Sequence, residues 1–195
     1  MSSTNRNAIR NANDYYITPK EHIKLFWDNF TTHNNIDPNS KVLDSSAGGD
    51  PNHPDMPYPT VLQPHFNNPI ETVDIRQDSS ANIKKSYLGL TFEIDYDIII
   101  SNPPFDLAME FIQKALKDVK MDGYVIMLLR LNFFGSKKRY AFLQNNMPVQ
   151  CYVHSKRMGF NPSYPNKTDS IEYAHFVWQS NNLITQDNTT LRVIR

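Results

Sequence analysis

Ser101-Asn102-Pro103-Pro104-Phe105 places a side-chain amide directly behind an uninterrupted apolar run, locks it with two prolines and follows it with an aromatic ring. Each proline holds its own φ near −65° and removes a backbone donor. Carbonyls are left to accept, and the Asn102 side chain adds an acceptor oxygen. Two acceptors converging on one point can hold an –NH2 group while the Phe105 ring stacks on a flat one. A Pro-Pro stop between a strand and a helix, with Phe105 in the core, would use the same residue types.

A second candidate is Asp44-Ser45-Ser46-Ala47-Gly48-Gly49-Asp50. Small residues let the backbone approach a ligand closely, and an acid at a strand end can take ribose hydroxyls or a cationic amine. No Gly-Lys-Ser/Thr follows, so this is not a phosphate loop. Asp74 allows the same choice between a ribose ligand and a solvated turn. Asp14-Tyr15-Tyr16-Ile17-Thr18-Pro19 reads either as a staple and cap or as tyrosines lying over a cofactor. Lys137-Lys138-Arg139 reads as a solvated helix face or, with Arg130, Lys156 and Arg157, as a local phosphate-binding patch. The six histidines show no metal-ligand spacing and are read mostly as surface or packing residues, so no metal is expected.

The elements that must carry these residues alternate between strand and helix. Thr18-Pro19-Lys20-Glu21 predicts a helix start with Thr18 as N-cap, Pro19 at the first position and Glu21 as the reciprocal partner. Ile23, Phe26, Trp27 and Phe30 follow at helical spacing. Lys41–Asp44 and Ile70–Ile75 read as strands ending near acids. The proline-rich stretch 51–69 reads as a loop with one short helix near Thr60–Phe66. Asp97–Ser101 is an apolar run suited to the middle of a parallel sheet covered on both faces. Leu107–Val119 reads as a helix, Gly123 as a turn into a strand at Tyr124–Leu129, and Ser136–Asn145 as another helix. Strands at 149–154 and 172–178 close the chain around the loop 159–170. Such alternation implies an open α/β sheet with crossover helices, whose ligands bind beyond the carboxyl ends of the strands. Asp44, Asp74 and Asn102 fall there.

A chain of 195 residues is long enough for one domain with a real core. Its 20 basic and 20 acidic residues cancel, so any nucleic-acid contact must come from a local patch rather than from overall charge. The single Cys151 excludes an intramolecular disulfide and a cysteine-built metal site. Its strand-like neighbours predict a buried structural thiol. The polar N-terminus does not read as a signal peptide and no stretch is long enough to span a membrane, so a cytoplasmic protein is expected.

Together these stretches resemble the DNA amino-methyltransferases that act on adenine N6. They are more closely similar to small phage and prophage adenine methyltransferase-like proteins carrying an Asp-Pro-x-Ala-Gly-Gly-Asp loop. The resemblance covers roughly residues 13–178. It implies the Rossmann-like class I methyltransferase fold, a mostly parallel open α/β sheet with helices on both faces. It also implies a flexible segment 1–13, a methyltransferase domain 14–180 without a separate recognition domain, and a C-terminal tail 181–195. Asn102, Pro103, Pro104 and Phe105 match the catalytic Asp/Asn-Pro-Pro-Tyr/Phe. The S-adenosyl-L-methionine loop corresponds to Asp44, Ser46, Ala47, Gly48 and Gly49. Asp74 matches the ribose-binding acid, and Tyr15, Tyr16 and Thr18 lie in the motif near the methionine end of the cofactor. Asn102 would also face the cofactor. Arg130–Ser136 sits where relatives approach the target base. The chain departs from the pattern at three places: Asp50 stands for a third Gly, Ser45 for a Pro, and Ser86, before Tyr87, for an Asp that holds the cofactor adenine amine.

The activity implied is direct methyl transfer to the N6 amine of adenine in DNA, with the base extruded or single-stranded. RNA adenines, a protein glutamine, or a non-catalytic cofactor- or nucleic-acid-binding module are the alternatives. The expected partner is DNA, with a monomer or weak dimer and room for a separate specificity partner.

Overall fold

The computed structural model describes residues 16–160, 168, 170–180 and 188–195. The expected flexible segment 1–13, and Asp14 and Tyr15, lie outside them, as does most of the loop 159–170.

Helix α1 (Lys20–His33) buries Ile23, Phe26, Trp27 and Phe30, the stripe that their spacing predicts. Its N-cap is Pro19, whose carbonyl accepts from the amides of His22 and Ile23 at 3.1 and 3.4 Å, and no side chain caps it. Thr18 is therefore not the N-cap, contrary to expectation, because its hydroxyl is engaged elsewhere. At the other end Asn34 Nδ2 donates to the Phe30 carbonyl at 2.7 Å and closes the last turn.

Strand β1 (Val42–Asp44) is followed by the small-residue loop, α2 (Pro57–Leu62) and a single 3-10 turn at Gln63–His65. β2 (Glu71–Asp74) and the short β3 (Ile83–Lys84) come next, then β4 (Tyr96–Ser101) and α3 (Ala108–Asp118). β5 (Val119–Arg130) begins one residue after α3, so Val119, expected to end the helix, starts the strand. Its pairing slips by several residues, from Tyr96 opposite Val119 to Ile98 opposite Tyr124, around Asp122 at φ 63°. Gly123 fits there because a Cβ would stand 2.7 Å from the Asp97 carbonyl oxygen. The helix expected at Ser136–Asn145 is a 3-10 turn at Lys137–Arg139 running into α4 (Tyr140–Asn145). β6 (Gln150–His154) and β7 (Tyr173–Gln179) match the expected strands. The expected C-terminal tail instead carries β8 (Thr190–Ile194), parallel to β6.

The sheet order is β3-β2-β1-β4-β5-β7-β6-β8, parallel except for β7, which runs antiparallel to both β5 and β6. The chain winds one way from β1 to β3 and the other way from β4 onward. The crevice at that reversal lies beyond the ends of β1 and β4. Side chains alternate across the sheet. Ile98, Ile100, Ile126, Tyr152 and Val177 pack under α1 and α2, while Ile99, Val125, Met127, Cys151 and Phe176 pack on the side of α3 and α4. Each large side chain buried this way contributes about 1.5–3 kcal/mol. Cys151 is a free buried thiol whose burial pushes it up to about 12. No helix among the described residues is long and apolar enough to cross a membrane.

Three of the histidines sit in the α1 face. His175 Nε2 meets the Tyr58 hydroxyl at 2.9 Å, its Nδ1 meets His154 Nε2 at 2.8 Å, and Phe26 stacks on its ring with centroids 4.1 Å apart. Burial holds His154 down to about 3 and His175 well below 6.5, and lowers His22, whose ring lies 5.2 Å from that of His154. Asp44 is the opposite case, with burial pushing its carboxyl from 3.8 up to about 7.

The two effects oppose each other on acidification. The histidines stay neutral in the folded state while the unfolded chain takes up protons below 6.5. Their stabilisation is complete above that pH and is lost as pH falls. Asp44 keeps, in the fold, a proton that the unfolded chain releases between about 7 and 3.8, so acidification through that window favours the fold. Asp44→Asn retains the bonded oxygen, places an amide nitrogen where Oδ2 has no partner, and removes the compensating titration. Its unfolding free energy in urea should fall more steeply between about pH 7 and 5 than that of the native protein. Equal slopes would show that the Asp44 carboxyl is ionised in the fold throughout.

Candidate active site

The carboxyl end of the sheet is stitched together by short side chains. Ser101 Oγ donates to Asp44 Oδ1 at 2.9 Å and lies 2.7 Å from Ser46 Oγ. Ser46 Oγ in turn donates to the Asn102 carbonyl at 2.8 Å, and the Ser46 amide donates to Asp44 Oδ1 at 3.2 Å. β1, the loop after it, and the start of the Asn-Pro-Pro-Phe turn thus form one unit. Asp44 itself is fully buried behind the loop and does not line the cleft.

The loop owes its path to glycine. Gly48 and Gly49 adopt φ of 77° and 73°. The Gly48 amide donates to Asp74 Oδ2 at 2.9 Å, and its carbonyl accepts from Ser79 Oγ at 2.5 Å. A Cβ on Gly49 would stand 2.7 Å from both Cβ and Oγ of Ser80. Asp74 is tied down on its other oxygen, which accepts the Arg76 amide at 2.9 Å and lies 3.3 Å from Arg76 Nε. Arg76 Nη2 also donates to the Gly49 carbonyl at 2.7 Å.

A cleft of about 750 Å³, counting the space open at its mouth, lies over this unit. Ser46, Ala47, Gly48 and Asp74 form one wall, and Asn102 and Pro104 another. Tyr16, Thr18, Ser86 and Tyr87 complete the residues that sequence reasoning placed there. Gly49, Pro103 and Phe105 stand outside the lining. Sequence reasoning missed Ser45, Tyr58, Ile75, Arg76 and Leu107 as lining residues. Ile75 and Leu107 are 54% and 42% exposed, apolar side chains left uncovered at the mouth of the cleft. The sequence signal of Ile75 is an apolar residue just past the end of β2, and Leu107 closes the turn Phe105–Leu107 that leads into α3.

Asn102 is held by its amide. Nδ2 donates to Thr18 Oγ1 at 3.1 Å, which fixes the plane and leaves Oδ1 buried without a hydrogen-bond partner among the described residues. Ser45 Oγ is in the same position. A buried acceptor left unpaired costs about 1–3 kcal/mol, which a donating ligand recovers. Beyond Pro104, Phe105 joins a small cluster with Leu128, Met158 and Tyr173. Its ring lies 5.8 Å from that of Tyr173, Phe160 edges Tyr173 at 4.9 Å, and Tyr16 edges Phe160 at 6.0 Å.

The expected basic patch is largely spoken for. Arg139 donates to the carbonyls of Phe133 and Asn132 at 2.7 and 3.2 Å, and Arg157 pairs with Glu172 at 3.0 Å. Lys137 and Lys138 are exposed. Among the described residues no three of His, Cys, Asp and Glu converge as a metal-binding group.

No protein-family model and no curated protein matches the sequence. Solved structures do match. A Listeria monocytogenes protein described as a class I S-adenosylmethionine-dependent methyltransferase superposes with TM-score 0.69 at 13% identity, over 91% of this chain and 65% of that one. The fold is the Rossmann-like fold of class I methyltransferases. A Pyrococcus horikoshii protein described as an RNA methyltransferase gives TM-score 0.62 at 14% identity, over 89% of this chain and 92% of that one. The M protein of the type I restriction enzyme EcoKI gives 0.63 at 12%, over 89% and 46%. The chain thus spans about two thirds of the Listeria protein and less than half of the EcoKI subunit.

The cradle makes Gly49 a sensitive position. Gly49→Ala must place a Cβ at positive φ against Ser80, and should cost about 1–3 kcal/mol in urea unfolding. Gly89→Ala is the control, since nothing lies within 4 Å of its added carbon. It should change stability by less than about 0.5 kcal/mol. Equal effects would mean that the loop relaxes around the side chain.

Proposed function

We propose that the protein binds S-adenosyl-L-methionine in this cleft and methylates the N6 amine of adenine in DNA. The observation that carries the reading is Asn102 Oδ1, buried and unpaired at the cleft wall, with the Phe105 ring three residues on. The cleft suits the cofactor. Gly48 and Gly49 bring backbone close, Asp74 offers remaining lone pairs to hydroxyls, and Ile75 and Leu107 offer aliphatic surface to a flat ring. Ser86, Tyr87 and Tyr16 line the same cleft, and Tyr15 is included in this reading by its sequence motif alone. When bound, S-adenosylmethionine supplies an activated methyl group.

The chain's own residues position the acceptor. Thr18 holds the plane of the Asn102 amide, and the unpaired Oδ1 accepts one N–H of the substrate amine. The Pro103 carbonyl is the second acceptor in this reading, and Phe105 stacks on the base. An amide is not a base at neutral pH. Asn102 therefore raises electron density on the nitrogen without removing its proton, which leaves to water. Catalysis rests on orientation and electrostatics.

This reading takes residues 14–180 as the catalytic unit. Target choice then falls to its loops or to a separate partner, as the likeness to type I modification subunits favours. RNA adenine is the second reading, favoured by the Pyrococcus protein, of which this chain covers 92%.

The test is transfer of labelled methyl groups from S-adenosylmethionine to unmethylated DNA and to total RNA in separate reactions, followed by digestion to nucleosides. N6-methyladenine should appear from DNA and fall about 100-fold or more in Asn102→Ala. Label only in RNA would select the second reading. Label in neither polymer, with the cofactor bound in calorimetry, would overturn both.

A further inference from the structure

Arg130, the last residue of β5, lies beside the Asn-Pro-Pro-Phe turn with its guanidinium carbon 4.7 Å from the centre of the Phe105 ring. Its Nε is buried and has no hydrogen-bond partner, and no carboxylate pairs with the side chain among the described residues. Glu172, next to Arg130's cross-strand neighbour Tyr173, is already paired with Arg157. Arg130 as a residue is half-buried, and its buried Nε carries a desolvation cost that an incoming acceptor would recover. Stacking on an aromatic face offsets part of that cost but satisfies none of its donors. Phe105 and Phe160 stay half-buried around the buried Tyr173, and part-exposed rings of this kind are what the bases of a single strand stack on.

We infer that Arg130 is the phosphate-binding residue for the strand carrying the target base, parked on Phe105 until that strand arrives. The inference rests on the proposed nucleic-acid substrate and sharpens it. A guanidinium on Phe105 covers a ring face that an incoming base needs. The base displaces it, and the planar fork then pairs with a backbone phosphate beside the extruded nucleotide. A net-neutral protein acquires in this way a strand contact at the reacting centre itself. A free nucleoside would displace the side chain without giving it an anion.

The experiment is fluorescence anisotropy with a single-stranded adenine-containing deoxyoligonucleotide across a range of salt concentrations, using the whole chain with bound S-adenosylmethionine. Arg130→Gln should weaken binding about tenfold at low salt and lower the slope of log affinity against log salt by about 0.7, one phosphate contact. Arg130→Lys should keep the slope while losing part of the affinity. Adenosine, read by calorimetry, should bind Arg130→Gln as well as or better than the native protein. Cofactor affinity and thermal midpoint, unchanged in both variants, would confirm that the fold is intact. An unaltered salt slope in Arg130→Gln would overturn the inference while methyl transfer to DNA still stood. Equal losses for oligonucleotide and adenosine would also overturn it, since Arg130 would then read the base. A native protein that binds no strand at any salt would sink both this inference and the nucleic-acid reading.

Discussion

The buried carboxyl of Asp44 is the tie on which the cleft depends. It ends β1 beside β4, accepts from Ser101 at the end of that neighbouring strand, and accepts from the first turn of the loop that follows. Ser46 carries the connection to the Asn102 carbonyl. Parallel strands leave their last carbonyls and amides unpaired where the sheet stops, and buried polar groups must find partners. Here the partners are serines and one acid, short side chains that fill little space. The loop can therefore fold flat over the sheet edge, and the cleft opens above it. The same burial pushes the acid up to about 7. The hydrogen bonds from Ser101 and Ser46 pull the other way and favour the carboxylate, and with both spent inside the fold Asp44 acts as a positioning group rather than a charge offered to a ligand.

How much of this was legible in the residues depended on where each partner lies. β4 and the inner part of β5 are apolar runs buried on both faces, and such runs need no knowledge of neighbours to be read. The Asn-Pro-Pro-Phe turn is equally local. Thr-Pro-Lys-Glu satisfies the pattern of a capped helix, whereas the Thr18 hydroxyl meets Asn102, 84 positions away. Val119 continues the helical spacing of α3 but pairs with Tyr96 instead, so tertiary pairing overrode local period. β8 carries no strand pattern in its residues, since Ile194 is its only buried one, while Leu191 and Val193 stay exposed at the edge. Ile75 and Leu107 look like any apolar residues until the sheet is seen to end beneath them.

The two faces of the sheet do different work. The α3 face is uniformly apolar from Ile99 to Trp178 and holds the strands together. The α1 face contains His175, which couples Tyr58 of the cleft to His154 through two hydrogen bonds. Burial keeps these rings neutral, so each can bond only in an alternating donor and acceptor order. Tyr58 is thereby anchored from behind the cleft wall by groups that never reach the ligand. This explains why a tyrosine from a six-residue helix in a proline-rich stretch can hold a fixed place in the cleft.

The choice of an amide at position 102 follows from the same network. An aspartate there would offer a stronger acceptor, but the backbone carbonyl of that residue is joined through Ser46 and Ser101 to the buried Asp44, so a second acid would enter the same region. Two carboxylates in one desolvated cluster do not both ionise readily, and each raises the pKa of the other. Asp44 already carries the combined effect of burial and the nearby Asp74. A second acid would be protonated in part at neutral pH, and its hydroxyl form would donate where an acceptor is needed. Asparagine presents an acceptor at every pH. One of its two N–H donors goes to Thr18, which fixes the amide plane and leaves the acceptor unpaired. The sheet-edge bonds thus fix the backbone of residue 102, and Thr18 fixes its side chain.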